Sequence, residues 1–148
     1  RVSMLMRDVA EVVAQESDKL AGLAQSGRGE AKSNRRLAFH PPCSLQHGLK
    51  LRNVVEPLLR AAGFELTYVA NAHLCCGSAG TYSILQPELA QRLLRNKIEA
   101  LQAGDADTIV TANIGCQTHL QSATHRPVRH WVEVLEDALA LRSGTRAA

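Results

Sequence analysis

Two adjacent cysteines followed by a glycine, Cys75-Cys76-Gly77, are the strongest chemical signal in this 148-residue chain. Neighbouring cysteines rarely bond to each other, because a disulfide needs Cα atoms about 5.5 Å apart in a restricted orientation. Two neighbouring thiolates can instead offer soft ligands to one metal centre. Cys43 is separated from this pair by 31 residues, and Cys116 follows the pair after 39 residues. The chemistry therefore depends on whether the fold brings these three places together.

The elements that would position the cysteines alternate between helix and strand, which predicts parallel βαβ units. The expected fold class is α/β, with a doubly wound, mostly parallel sheet of about four strands and helices on both faces. Apolar patterning predicts strands over residues 36–40, 64–69, 107–111 and 128–130. It predicts helices over residues 2–23, 45–62, 87–103 and 131–141. Pro57 should kink or split the second of these helices.

Each cysteine falls just beyond the carboxyl end of a predicted strand. In an open parallel sheet those ends share one edge, and ligands bind in the crevice there. The sequence therefore predicts one shared site for Cys43, Cys75, Cys76 and Cys116. Four thiolates suit zinc or an iron–sulfur cluster. Three glycines in the same loops would allow close backbone approach to such a cofactor and supply amide donors: Gly77, Gly80 and Gly115.

Five of the six histidines lie close to these cysteines in the sequence or at a strand end. Cys116-Gln117-Thr118-His119 has the spacing of a C-x-x-C pair with histidine in the second place, so His119 is a candidate fifth metal ligand. His40, His73 and His130 could each bind the metal, or could lie near a strand end without a role in metal binding. His47 and His125 are expected at the surface.

Composition indicates a single domain that buries a core without help from metal or disulfides. The net charge of +3 and the scarcity of aromatic residues exclude a nucleic-acid face, and no apolar run reaches the length of a membrane span. Few cysteines in an ordinary composition favour a reducing, cytoplasmic compartment. Because the chain begins with Arg1, it is expected to be a fragment. Residues 1–34 would be a helix and linker from a preceding region, and residues 35–148 the cysteine-bearing domain.

Three blocks of sequence resemble the cysteine-rich CCG domain. They run over residues 40–48 (HPPCSLQHG), 72–82 (AHLCCGSAGTY) and 112–116 (ANIGC). The domain occurs in the B subunit of heterodisulfide reductase and in iron–sulfur subunits of flavin-linked 2-hydroxyacid dehydrogenases. The blocks are most similar to the C-terminal part of the glycolate oxidase iron–sulfur subunits. The resemblance covers about residues 36–140.

The resemblance implies a module of an electron-transfer subunit that binds a [4Fe–4S]-type cluster. It implies FAD on a partner subunit, a flavin-bearing dehydrogenase, other subunits of the same complex, and electron transfer towards a quinone or another acceptor. The complex could associate peripherally with the inner face of the membrane. The family motif ends in C-x-x-C where this chain has His119. The domain is therefore compatible with a bound cluster, a bound zinc ion or no permanent metal.

Other interpretations of the cysteines remain open at this point. They could be small buried apolar residues, since free cysteine is often buried for packing alone. A disulfide such as Cys43–Cys116 could form. The domain could also be a non-redox docking module, held by zinc or by reduced thiols.

Overall fold

The computed structural model describes residues 5–19, 22 and 36–143, with side chains up to residue 140. The predicted linker up to residue 34 lies outside the described residues. The strands are β1 (Arg36–His40), β2 (Glu65–Leu66), β3 (Thr108–Thr111) and β4 (Val128–His130). The α-helices are α1 (Val9–Gln15), α2 (Val55–Ala61), α3 (Tyr82–Leu85), α4 (Pro87–Gln102), α5 (Ile114–Gln121) and α6 (Trp131–Ser143). A π-helical turn spans Ser44–Gly48.

The four strands form one parallel sheet in the order β2-β1-β3-β4. The register pairs His40 with Thr111 and Thr111 with His130, so β1, β3 and β4 end level with one another. Parallel pairing and the central place of β1 confirm the predicted α/β class. β1 and β4 have the predicted bounds, whereas β2 is shorter than predicted.

Helices cover both faces of the sheet, and each face has its own apolar cluster. Leu37 and Phe39 point to the face covered by α1, α2 and α6. Ala38 points to the opposite face, covered by α4 and α5, where Cys76 and Cys116 belong to the apolar cluster. Because side chains alternate along a strand, His40 shares the face of Ala38. This alternation decides which side chains of β1 can reach the cysteines.

The predicted helix over residues 45–62 is wrong as a continuous element. It divides into the π-helical turn and α2, separated by a stretch in which Lys50 and Asn53 adopt positive φ values of 60° and 57°. Pro57 does not cause the break. It lies in the first turn of α2, where its missing N–H has no helical partner to lose.

Helix α1 begins with a capping box, in which the Asp8 side chain and the Glu11 side chain satisfy each other's backbone N–H groups. The predicted helix over residues 2–23 begins later than expected, because the described residues 5–8 are not helical and α1 starts at Val9. Among the described residues, every helix is too short or too polar to cross a bilayer.

Candidate metal centre

The cysteines come from three segments that leave the same edge of the sheet. Cys43 follows β1 and immediately precedes the π-helical turn. Cys75 and Cys76 lie in the irregular segment between β2 and α3, and Cys116 lies in the first turn of α5, just after β3. The carboxyl ends of β1, β2 and β3 therefore deliver all four cysteines to one region, as parallel topology requires.

The centre of this region is a buried group of three side chains: His40, Cys76 and Cys116. One ligand atom from each lies within 4.8 Å of the other two. The Ser78 hydroxyl lies beside both sulfurs, with its Oγ 3.3 Å from Cys76 Sγ and 3.6 Å from Cys116 Sγ. Two soft sulfurs and an imidazole nitrogen, all from buried side chains, are a donor set suited to zinc or iron.

Cys43 and Cys75 form the outer part of the region and are half-buried. Burial and the neighbouring Cys75 raise the pKa of the Cys43 thiol, and the charge of Cys76 adds to this effect. The backbone N–H of Gly77 donates a hydrogen bond to Cys75 Sγ over 3.2 Å. All four cysteines are free thiols. The structure therefore lacks the disulfide that the sequence left open.

Cys76 and Cys116 have opposed pKa shifts because they share one hydrogen-bonded proton. The nearby Cys116, ahead of the His40 ring and the Ser78 hydroxyl, lowers the pKa of Cys76 despite its burial. The same contact with Cys76, together with burial, raises the pKa of Cys116. Since metals bind the thiolate form, the lowered pKa of Cys76 favours ligation by this sulfur.

A buried lysine, Lys97, supports the segment that leads to the cysteine pair. Its Nζ donates hydrogen bonds to the carbonyl oxygens of Asn71 (2.9 Å) and Ala72 (3.2 Å). Burial lowers the pKa of Lys97, while the nearby thiol groups, Cys76 foremost, oppose that change. Sequence reasoning missed this residue. The available signal was its place on the apolar face of α4, in helical register with Leu94 and Leu101.

The three glycines have different local roles. Gly77 has a φ of 94°, and a Cβ there would lie 2.5 Å from the backbone oxygen of Ala90 in α4. Gly80 has a φ of 49° and open space around it. Gly115 lies in the first turn of α5, where its N–H donates to the Asn113 side chain. Gly77 thus allows the cysteine segment to pack directly against α4.

Asn113 caps the helix that carries Cys116. Its Oδ1 accepts hydrogen bonds from the N–H groups of Gly115 (2.9 Å) and Cys116 (3.2 Å). This cap fixes the backbone from which the Cys116 side chain extends, and the helix N-terminus adds partial positive charge beside the sulfur.

We expect Asn113→Ala to lower the free energy of unfolding by about 1 kcal/mol, the usual effect of losing an N-cap. Urea denaturation of the metal-free protein measures this change. Asn113→Ser should retain most of the stability, since serine also caps. Thr118→Ala, on the exposed side of the same helix, serves as the matched control. Equal stability of the Asn113→Ala and Thr118→Ala variants would contradict the role of the cap.

The remaining histidines are separate from the inner group. His119 lies one helical turn after Cys116 and has a buried Nε2 without a hydrogen-bond partner, but it is not among the three converging donors. His73, His47 and His125 are exposed. His130 is half-buried, and its Nδ1 accepts a long hydrogen bond of 3.4 Å from the N–H of Val132. Of the histidines considered from sequence, His40 is the one that the fold brings to the inner cysteines.

Comparison with known proteins agrees with this geometry. The model of the CCG cysteine-rich domain family matches residues 37–121. The chain is 49% identical over 140 residues to the "Glycolate oxidase iron-sulfur subunit" of Escherichia coli (strain K12), a match covering 94% of this chain and 32% of that protein. It is 30% identical over 111 residues to "Lactate utilization protein A" of Geobacillus sp. (strain WCH70), covering 71% of this chain and 47% of the relative.

A third relative is the "Probable glycolate oxidase iron-sulfur subunit" of Bacillus subtilis (strain 168), 39% identical over 99 residues, with 61% of this chain and 22% of the relative covered. The chain thus spans between about a fifth and a half of the length of these three relatives. The family match covers more than half of the chain and includes all four cysteines. The chain belongs to the CCG cysteine-rich domain family.

Proposed function

We propose that this chain is an electron-transfer module that binds an iron–sulfur centre, of the [4Fe–4S] type, in an iron–sulfur subunit of a glycolate or related 2-hydroxyacid oxidase complex. Four cysteines act as its ligands: Cys43, Cys75, Cys76 and Cys116. The observation that carries the proposal is that side chains from three separate segments converge on one buried pocket at the carboxyl edge of the sheet.

The residues present fit such a group. The inner pocket holds an imidazole with two buried ring nitrogens that have no hydrogen-bond partner. Buried polar atoms normally have hydrogen-bond partners. Two unpaired nitrogens beside two sulfurs therefore indicate a binding site for a metal. The buried Lys97 and the N-terminus of α5 supply positive charge. That charge favours the anion that a thiolate-bound cluster forms.

An iron–sulfur centre supplies reversible one-electron transfer when bound. The chain's own residues would hold and shield it. Cys76 and Cys116 are buried and would keep water from the inner side. Cys75 is half-buried and lines a cavity of about 230 Å³ between its own segment and α4. Electrons would therefore enter or leave on the Cys75 side. His119, with its unpaired buried nitrogen, is retained as a candidate donor to the same centre.

The proposed partners follow from the names of the relatives, which include iron–sulfur subunits of glycolate oxidase. A flavin-bearing dehydrogenase subunit would carry FAD and oxidise the 2-hydroxyacid, and this chain would pass electrons onward without binding that substrate. We place the complex in the cytoplasm, with peripheral contact at the inner face of the membrane. The chain alone is not expected to be catalytic.

A zinc-bound docking domain is the second candidate, and one observation favours it. The donor atoms of His40, Cys76 and Cys116 lie within 4.8 Å of one another. In a tetrahedral zinc site with Zn–S of about 2.3 Å, ligand atoms are roughly 3.8 Å apart. The inner group could close around a single ion with a modest contraction. Such a site would hold the crevice together without redox chemistry.

Anaerobic reconstitution with iron and sulfide distinguishes the two candidates. The proposal predicts broad visible absorption that fades on reduction and returns on reoxidation, together with an EPR signal in one of the two states. A preparation that takes up zinc in preference to iron, and shows neither the absorption nor the signal, would favour the docking domain.

A further inference from the structure

His40 is a buried residue next to the cysteines, and the cysteine motif does not explain why a histidine is buried there. It is 1% exposed, and neither Nδ1 nor Nε2 has a hydrogen-bond partner. Among the described residues it alone has two orphaned ring nitrogens. A histidine kept in a core for packing normally has at least one nitrogen paired, because leaving buried polar atoms unpaired costs stability.

The backbone fixes where this imidazole points. His40 is the last residue of β1, paired with Thr111 of β3, and the Thr111 hydroxyl donates a hydrogen bond of 2.9 Å to the His40 carbonyl. Strand alternation directs the ring to the face that carries Cys76 and Cys116. Pro41 and Pro42 follow at once and restrict how the chain leaves the strand. The ring is therefore held in place before any metal binds.

We propose that His40 is a metal ligand, so that the centre has mixed nitrogen and sulfur ligation; the inference rests on the metal centre of the proposed function. Its ring nitrogen lies within 4.8 Å of the sulfurs of Cys76 and Cys116. A bound metal would give one orphaned nitrogen its partner.

Nitrogen ligation has a chemical consequence for electron transfer. An imidazole that replaces a thiolate removes one negative charge from the centre and so raises its reduction potential. His40 would then set the potential of this centre above that of an otherwise equal centre with cysteine in the same place. His40→Cys should accordingly lower the potential.

Pulsed EPR of protein labelled with ¹⁵N-histidine and reconstituted with iron and sulfide tests the assignment. We expect a ¹⁵N coupling in the unaltered protein, its persistence in His73→Leu and His119→Leu, and its loss or marked decrease in His40→Leu. Iron bound per chain should fall at least about 10-fold in His40→Leu, since even indirect changes around metal ligands have effects of that size. His73 is the matched control because it is exposed and lies next to the cysteine pair.

A metal-free measurement separates ligation from a packing role. Leucine removes two unpaired buried nitrogens, so the melting temperature of metal-free His40→Leu should equal or exceed that of the unaltered protein. A marked fall in that temperature would indicate a structural histidine and overturn the inference. In protein that has taken up iron, the absence of any ¹⁵N coupling would do the same, as would its loss in His119→Leu.

Cobalt(II), as a stand-in for zinc, keeps the test independent of the iron–sulfur assignment. If the unaltered protein takes up no iron, the proposed redox function fails. His40 is then judged by cobalt titration followed by visible absorption. A weakening of cobalt binding of about 10-fold or more in His40→Leu, with none in His73→Leu, would support ligation. Equal affinity of all three proteins would overturn it.

Discussion

Replacing Cys76 with serine is expected to abolish the metal centre while leaving the fold intact. Cys76 is fully buried, its sulfur lies beside Cys116, Ser78 and His40, and these neighbours lower its pKa. A serine hydroxyl is a poor soft-metal ligand but has nearly the same shape. Metal affinity should fall by at least about 100-fold, because mutating residues that only hydrogen-bond to a metal ligand already lowers metal affinity about 10- to 100-fold.

The fold should tolerate Cys76→Ser because a chain of this size does not depend on metal to bury its core. Ser78 Oγ can pair with the new hydroxyl, so the free energy of unfolding of the metal-free protein should fall by about 1 kcal/mol or less. Iron analysis after reconstitution and urea denaturation measure the two effects. Ser44→Ala, at an exposed position next to Cys43, is the control. Global unfolding of metal-free Cys76→Ser would point to a structural role instead.

Gly77→Ala should cause the largest loss of stability at any glycine of the site. A φ of 94° is strained for alanine, and the added Cβ would lie 2.5 Å from the Ala90 oxygen in the backbone of α4. Left-handed strain of about 1–2 kcal/mol and overpacking of about 1–3 kcal/mol together predict a loss of about 3 kcal/mol. Urea denaturation of the metal-free protein gives this value directly.

Gly80→Ala is the matched control for Gly77→Ala. Gly80 also has a positive φ, of 49°, but nothing lies within 4 Å of the added Cβ. Only the conformational strain applies, and the expected loss is about 1 kcal/mol. Equal losses for the two variants would mean that contact with α4 is not what requires glycine at position 77.

Much of the architecture could be predicted because local signals agree with parallel topology. β1 is a short apolar segment stopped by two prolines, and its bounds are as expected. The convergence of cysteines follows from strand order alone, since the carboxyl ends of parallel strands share one edge. This convergence can be predicted without knowledge of side-chain contacts.

The remaining features depend on tertiary contacts that the sequence pattern does not reveal. The break before α2 depends on left-handed conformations at Lys50 and Asn53, which most residues avoid. Helix α5 was not predicted as an element, because its apolar residues do not repeat with a helical period. The importance of His40 depends on its strand face and on the absence of a partner for its ring. Neither property can be read from spacing.

X-ray absorption at the iron and zinc edges of the anaerobically isolated protein tests the central claim most directly. The account predicts an iron edge with a sulfur-dominated ligand shell, a minor nitrogen contribution and iron–iron scattering from a cluster. A zinc edge alone, or the absence of both metals from protein isolated together with its partner subunits, would contradict it.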